Sequence, residues 1–271
     1  MIYPHQQKAI AYISDKFKQD PNVDALLISG SIMHGFNDET SDVDINIVVS
    51  EELYQQKRSQ NALTYYEEAE NFYPSRLSGQ SDGGYFDGKF ISLNYLSLVA
   101  KQGNEPTRFA LYDVDIAFDR TGKVADLIKQ IGVYNMENIQ QNAIRFISQM
   151  DGWKWYCGEA IRRNNQYLLD TAVSRLILFA GRLILLENRE FFPYHKWFLA
   201  MLERCENKPA DFMPAVKRLL ENKTHDNINY LCELVRTYRD WSGGAKYSWT
   251  SNFVEDVETI WMRQDEFIEN M

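Results

Sequence analysis

The chain has 271 residues, enough for one large domain or two modest ones with separate cores. Apolar residues make up 45% and charged residues 25%, the balance of an ordinary globular protein, and the formal net charge is −9 with a pI near 5.1. Such acidity disfavours a nucleic-acid partner, which needs a basic footprint, and the scattered Cys157, Cys205 and Cys232 offer neither zinc spacing nor a disulfide framework. The opening MIYPHQQKAI lacks the charged-then-apolar order of a signal peptide, so the cytoplasm is the expected location.

In chain order, Pro4 to Lys18 reads as an amphipathic helix closed by Asp20-Pro21-Asn22. A strand then begins at Val23 and ends in Gly30-Ser31. After a loop holding Gly35, the chain enters a strand over Val43–Val49. Period two puts Asp42, Asp44 and Asn46 on one face and Val43, Ile45 and Ile47 on the other. Two carboxylates so close repel each other, and a hard divalent cation such as Mg²⁺ relieves the conflict. Glycine at the mouth of a strand lets backbone approach a phosphate, and the neighbouring hydroxyl of Ser31 can donate to it.

Glu51 to Tyr73 reads as one long helix ended by Pro74, followed by a turn-rich loop, GQSDGG. A strand over Tyr85–Leu93 carries Asp87 and Lys89 on one face, and Leu93 to Lys101 reads as a short helix. Leu111 to Phe118 is expected to be a strand with a second Asp-Val-Asp, at Asp113 and Asp115, but no Gly-Ser turn precedes it. Those acids are therefore expected to face solvent. From about Glu137 helical periods dominate, with breaks near 163–165, 188–193, 207–209, 222–225 and 241–249. The expected division is residues 1–133, mixed α and β, and 134–271, a helical bundle. The apolar segment Thr171 to Leu186 is too short for a bilayer and is interrupted by Arg175 and Arg182, whose partners would be acids of the bundle or else a triphosphate, with internal salt bridges the expectation. The acidic stretch Glu255–Glu269 reads as a closing helix.

Gly30-Ser31 followed by Asp42-Val43-Asp44 in an apolar strand resembles the signature of the nucleotidyltransferase superfamily that includes DNA polymerase β and the antibiotic adenylyltransferases. The likeness covers about the first third of the chain. The plainer alternative is a turn followed by a strand whose acids face water. The resemblance implies an α+β fold with a mixed sheet and a following helical bundle. It also implies transfer of a nucleoside monophosphate, AMP from ATP or another nucleoside triphosphate, onto a hydroxyl of a small acceptor, with release of pyrophosphate. Aminoglycoside- or lincosamide-type antibiotics are the more specific acceptors. Asp42, Asp44 and Asp87 would hold two Mg²⁺ or Mn²⁺ ions, with Asp82 the other candidate for the third carboxylate. Gly30, Ser31 and Ser41 would meet the nucleotide, and Lys196, from the helical part, the triphosphate. Trp153, Trp155 and Tyr156 beside Asp151 and Glu159 would hold a cationic acceptor, with Glu159 the candidate base. The same aromatic residues would serve equally as helix packing. Alternatives of other classes are transfer to RNA or protein, and a nucleotide-binding regulatory module without turnover. No Gly-x-x-x-x-Gly-Lys loop exists to support a P-loop ATPase.

Overall fold

The structure, a computed structural model, describes residues 1–73, 84–262, 267–269 and 271. Pro74, Asp82 and most of the expected GQSDGG turn lie outside the described residues. The chain divides into two compact units, Met1–Val133 and Tyr134–Met271. The first is α+β and the second helical.

In the first unit, α1 (Pro4–Gln19) opens on a proline, whose missing N–H is harmless in a first turn, and turns Ala9, Ile13 and Phe17 inward. Five strands follow: β1 (Val23–Ser29), β2 (Val43–Val49), β3 (Thr64–Glu68), β4 (Tyr85–Ser92) and β5 (Asp115–Asp119). They form one sheet in the order β3-β4-β2-β1-β5. β2 and β4 are parallel and every other neighbouring pair is antiparallel. A parallel pair needs a crossover, and α3 (Glu51–Ser59) with β3 lies on it.

Helices cover both faces of the central strands, which is why β1 and β2 are apolar along most of their length. Leu26, Ile28, Val43, Ile45 and Ile47 join the α1 residues in one cluster. Ala25, Leu27, Val48 and Ile91 join residues of α4 (Leu93–Gln102), α5 (Glu105–Tyr112) and α6 (Val124–Ile131) in the other. On this second face the β2–β4 pair changes character along its length. Val48 lies beside Ile91, then Asn46 beside Lys89, then Asp44 beside Asp87. Period two thus delivers the acids to the end of a face whose other end is core.

In the first unit the structure departs from the sequence expectation at two places. The helix expected from Glu51 to Tyr73 starts correctly, with Leu53 N–H donating to the Ser50 hydroxyl (3.3 Å), but it stops at Ser59. Asn61 takes a left-handed φ of 55°, and Thr64–Glu68 returns as an edge strand of alternating exposure. Its Thr-Tyr-Tyr core favours the strand, and its acids conceal the alternation. The strand expected over Leu111–Phe118 begins only at Asp115, because Leu111 and Tyr112 close α5. The start signal for that helix was Asn104, which caps Thr107 N–H (3.0 Å), with a proline in the first turn.

The helical unit contains α7 (Ile139–Arg162), α8 (Gln166–Asn188), α9 (Tyr194–Arg204), α10 (Phe212–Glu221), α11 (His225–Tyr238) and α12 (Trp249–Phe253). The breaks fall where the polar and proline-bearing stretches place them. No helix among the described residues is long and apolar enough to cross a membrane. Arg182, 1% exposed, lies between the rings of Phe146 (4.6 Å) and Phe192 (4.8 Å) and donates to the main-chain oxygen of Glu269 (2.5 Å). Arg175 pairs with the Glu269 carboxylate. Both arginines therefore have internal partners. Of the stretch read as a closing helix from Glu255 to Glu269, residues 263–266 lie outside the described residues; the rest begins as a π-helical turn, Val254–Glu258, that continues α12, followed by a 3₁₀ turn, Ile260–Met262. There Asp256 turns inward to take a bidentate bond from Arg145 (2.6 Å at the closest), so that stretch buries a charge pair on its inner side.

Candidate metal centre

The three acids singled out in the sequence meet. Asp42 lies in the residues leading into β2, Asp44 in β2 itself, and Asp87 is the register partner of Asp44 on the parallel strand β4. One carboxylate oxygen from each lies within 4.8 Å of the other two. Asp42 and Asp44 are half-buried and Asp87 is exposed, so the group is open on one side. Three hard oxygen donors at this spacing fit a cation of the Mg²⁺ or Mn²⁺ kind.

The turn after β1 is shaped to the same place. Gly30 opens the short helix α2 (Gly30–His34) with φ at +71°, a conformation costly for any residue with a side chain. A Cβ on Gly30 would lie 1.7 Å from Asp44 Oδ2, so only glycine lets the backbone come against that carboxylate. Ser31 follows, buried. Gly30, Asp44 and Ser29 are thus one assembly, since β1 and β2 pair Ser29 with Asp44.

Behind the acids lies a polar floor made of the residues that period two places on the same faces, Asn46 and Lys89. Asn46, 1% exposed, donates from Nδ2 to the buried Ser29 hydroxyl (2.9 Å), while its Oδ1 has no partner among the described residues. Lys89 occupies the same row on β4. Loss of water lowers the pKa of its ammonium, and the charges of Asp44 and Asp87 oppose that change. The signal for Lys89 was present in the sequence: it stands two residues after Asp87, hence on the same side of the strand.

The loop between α2 and β2 is held by its own bonds. Asp38 accepts from Thr40 N–H (2.8 Å), Thr40 Oγ1 (2.6 Å) and Ser41 Oγ (3.2 Å), which draws its pKa down. Gln6 Nε2 and the Tyr73 hydroxyl both donate to the Ser41 carbonyl, at 3.1 and 2.8 Å. Burial, and then the Asp42 charge, push the Tyr73 phenol well above its usual pKa. The Ser41 hydroxyl is occupied within this turn, and the loop places Asp42.

The other copy of Asp-Val-Asp assembles nothing similar. Asp113 ends α5 and Asp115 starts the edge strand β5, and both are exposed.

In the helical unit the expected aromatic cluster divides. Trp153 and Tyr156, both half-buried, pack on Phe253 (ring centroids 5.7 and 5.9 Å apart), so they join α7 to α12. Trp155 is exposed and lines a cavity of about 540 Å³ with Asp151, Glu159, His225, Arg236 and Trp249. Burial raises the Asp151 pKa, against the pull of its partner Arg236. Arg162 and then Arg163 hold the Glu159 carboxyl at about 2, far too low for an efficient base near neutrality. Lys196, exposed at the start of α9, places Nζ 5.2 Å from the Trp197 ring centroid.

No protein-family model and no curated protein matches the sequence. Among solved structures, the chain is similar to a nucleotidyltransferase-like protein from Exiguobacterium sibiricum, at 14% identity and a TM-score of 0.46, over 96% of this chain and 80% of that one.

Proposed function

We propose that the protein is a metal-dependent nucleotidyltransferase that moves a nucleoside monophosphate, AMP from ATP as the first candidate, onto a hydroxyl of a small acceptor. The observation that carries this reading is the meeting of Asp42, Asp44 and Asp87 within 4.8 Å beside a turn whose Gly30 admits no Cβ. In this account the three carboxylates hold Mg²⁺ or Mn²⁺. The ion supplies charge neutralisation at the transferring phosphoryl group and a lowered pKa for the incoming hydroxyl. Gly30 and Ser31 present the main chain and a hydroxyl to the triphosphate, Ser41 fixes the approach to Asp42, and Lys196 is a candidate phosphate contact. Catalysis is then mainly alignment and charge compensation.

A small acceptor fits the acidic surface and the cavity of about 540 Å³ in the helical unit, whose size and mixture of indole and charged lining suit an organic molecule. With Glu159 held by two arginines, Asp151 is the acid in that lining whose pKa lies nearer the working range. An aminoglycoside or lincosamide is the more specific form of the proposal.

The test offers each of the four labelled nucleoside triphosphates with Mg²⁺ against hydroxylated antibiotics, tRNA and candidate proteins. Pyrophosphate release that requires one acceptor class and is lost in Asp44→Asn supports the reading. Equal release by wild type and Asp44→Asn contradicts it.

A further inference from the structure

We propose that Tyr66 and Tyr85 form the platform on which the acceptor's reacting ring lies, with Glu68 beside them for a cationic group on that ring. This rests on the nucleotidyl-transfer reading above and names contacts which that reading leaves open.

Strand register builds one row across four strands. Ser29 on β1 pairs with Asp44 on β2, Asp44 with Asp87 on β4, and Asp87 with Tyr66 on β3. Residues paired across an antiparallel ladder project to the same face, their Cβ atoms about 5 Å apart, so Tyr66 stands beside the third carboxylate of the cluster. The two ends of the row differ. At the β1 end the chain turns through Gly30 and Ser31 against the Asp44 carboxylate, which the reading gives to the triphosphate. At the β3 end Tyr66 is 65% exposed, its ring 5.4 Å from that of Tyr85 and inclined to it by 31°. The tyrosine of β3 that serves the core is Tyr65, which turns to the other face and meets Phe17 (5.2 Å) and Phe90 (6.4 Å).

Phosphoryl transfer sets the direction of approach. The attacking oxygen and the leaving pyrophosphate lie roughly in line, on opposite sides of phosphorus. The bond from acceptor oxygen to phosphorus forms as the bond to pyrophosphate breaks, and the hydroxyl proton passes to water. Whatever holds the rest of the acceptor, that hydroxyl has to reach an ion held by the acids. A triphosphate seated at Gly30 leaves it the β3 end of the row, where the surface on offer is two phenol rings. Aromatic faces attract cations, and Glu68, exposed and paired in register with Tyr85, supplies opposite charge. The occupant that matches is a hydroxylated ring compound bearing an ammonium, an amino sugar in kind.

The experiment takes the full chain with Mn²⁺ and a non-hydrolysable ATP analogue and measures binding of neomycin, an amino-sugar probe, by calorimetry. Wild type is expected to prefer it to spermine, a polycation without a ring. Tyr66→Thr, which keeps a strand-forming residue, should weaken neomycin about tenfold and leave spermine unchanged. Tyr66→Phe should bind as wild type, and Glu68→Gln should weaken neomycin about threefold. Tyr167→Ala, which removes a more exposed tyrosine from the helical unit, should change nothing. Mn²⁺ affinity and melting temperature should stay close to wild type in every variant, which separates an acceptor contact from a merely structural one. Neomycin affinity in Tyr66→Thr within twofold of wild type overturns the platform. So does wild type that holds Mn²⁺ yet binds neomycin no better than spermine. Binding lost in Trp155→Ala but kept in Tyr66→Thr would put the probe in the helical cavity and overturn it as well. Absence of Mn²⁺ binding in wild type overturns the metal reading itself.

Discussion

Asp42-Val43-Asp44 enters a strand buried on both faces, whereas Asp113-Val114-Asp115 straddles a helix end and the start of an edge strand. The three letters are identical and the outcomes differ because of what surrounds them. At the first copy, the Ser41 carbonyl is tied to Gln6 and Tyr73, Gly30 presses against Asp44, and a parallel neighbour brings Asp87 alongside. At the second, both acids reach water, and the well-bonded acid of β5 is Asp119, which serves a turn. Carboxylates gathered beside one another are candidate ligands, whereas a carboxylate surrounded by N–H donors, as Asp119 is, holds a turn.

That contrast is broken most directly by paired asparagine variants. Asp44→Asn should lower Mg²⁺-dependent turnover by on the order of a hundredfold or more, since metal charge stabilisation is worth several kcal/mol, while Asp115→Asn should stay within about twofold. Steady-state pyrophosphate release measures both, and equal losses would dissolve the distinction.

Stability should respond in the opposite sense. Asp256→Ala takes the bidentate partner from the half-buried Arg145 and should cost about 1.5–3 kcal/mol in chemical denaturation. Asp87→Asn, which relieves repulsion in the metal-free cluster, should leave stability unchanged or raise it.

Two glycines sharpen the comparison further. Gly30→Ala meets both a φ of +71° and the Asp44 carboxylate, and should cost about 2–3 kcal/mol while weakening Mn²⁺ binding. Gly122→Ala has a similar φ, +67°, with nothing within 4 Å, and should cost only about 1 kcal/mol with Mn²⁺ binding untouched.

The smallest effect concerns Asp119, which accepts from Thr121 N–H (2.8 Å), Thr121 Oγ1 (2.7 Å), Gly122 N–H (3.1 Å) and Val124 N–H (3.0 Å). Burial pushes its pKa up, but these bonds outweigh burial and leave it below the ordinary value. A carboxyl with a depressed folded pKa adds stability above its unfolded pKa of about 3.9 and loses it as pH falls through the folded value. Asp119→Asn should therefore cost about 1 kcal/mol at pH 7 and nothing in strong acid, measured by denaturation at both pH values.

The candidate site was largely legible in the sequence because Asp42, Asp44 and Asn46 interrupt an otherwise apolar strand at period two. Asp42 and Asp44 could be placed on one face without coordinates, and Asp87 with its own strand. Position within the sheet was not legible: nothing local says that β4 lies parallel to β2 with Asp87 opposite Asp44. The polar edge strand β3 was lost because Tyr65 and Tyr66 sit among acids whose spacing also fits a helix face. The helix α5 was not legible because its apolar end, Leu111-Tyr112, runs without a break into the alternating Asp-Val-Asp-Ile, leaving the Asn104 cap as its one local mark. In the helical unit, breaks at Asn164 and Arg189 were readable, and both residues take positive φ. The division of Trp153 from Trp155 was not, since which indole turns inward depends on Phe253, about a hundred residues away.

In the proposed reading, three acids and a glycine turn make one cation site. Diffraction from crystals soaked in Mn²⁺, recorded where manganese scatters anomalously, tests it in a single map. The account predicts a peak within bonding distance of carboxylate oxygens from Asp42, Asp44 and Asp87. A map in which these side chains diverge, with the anomalous density elsewhere or absent, would contradict it.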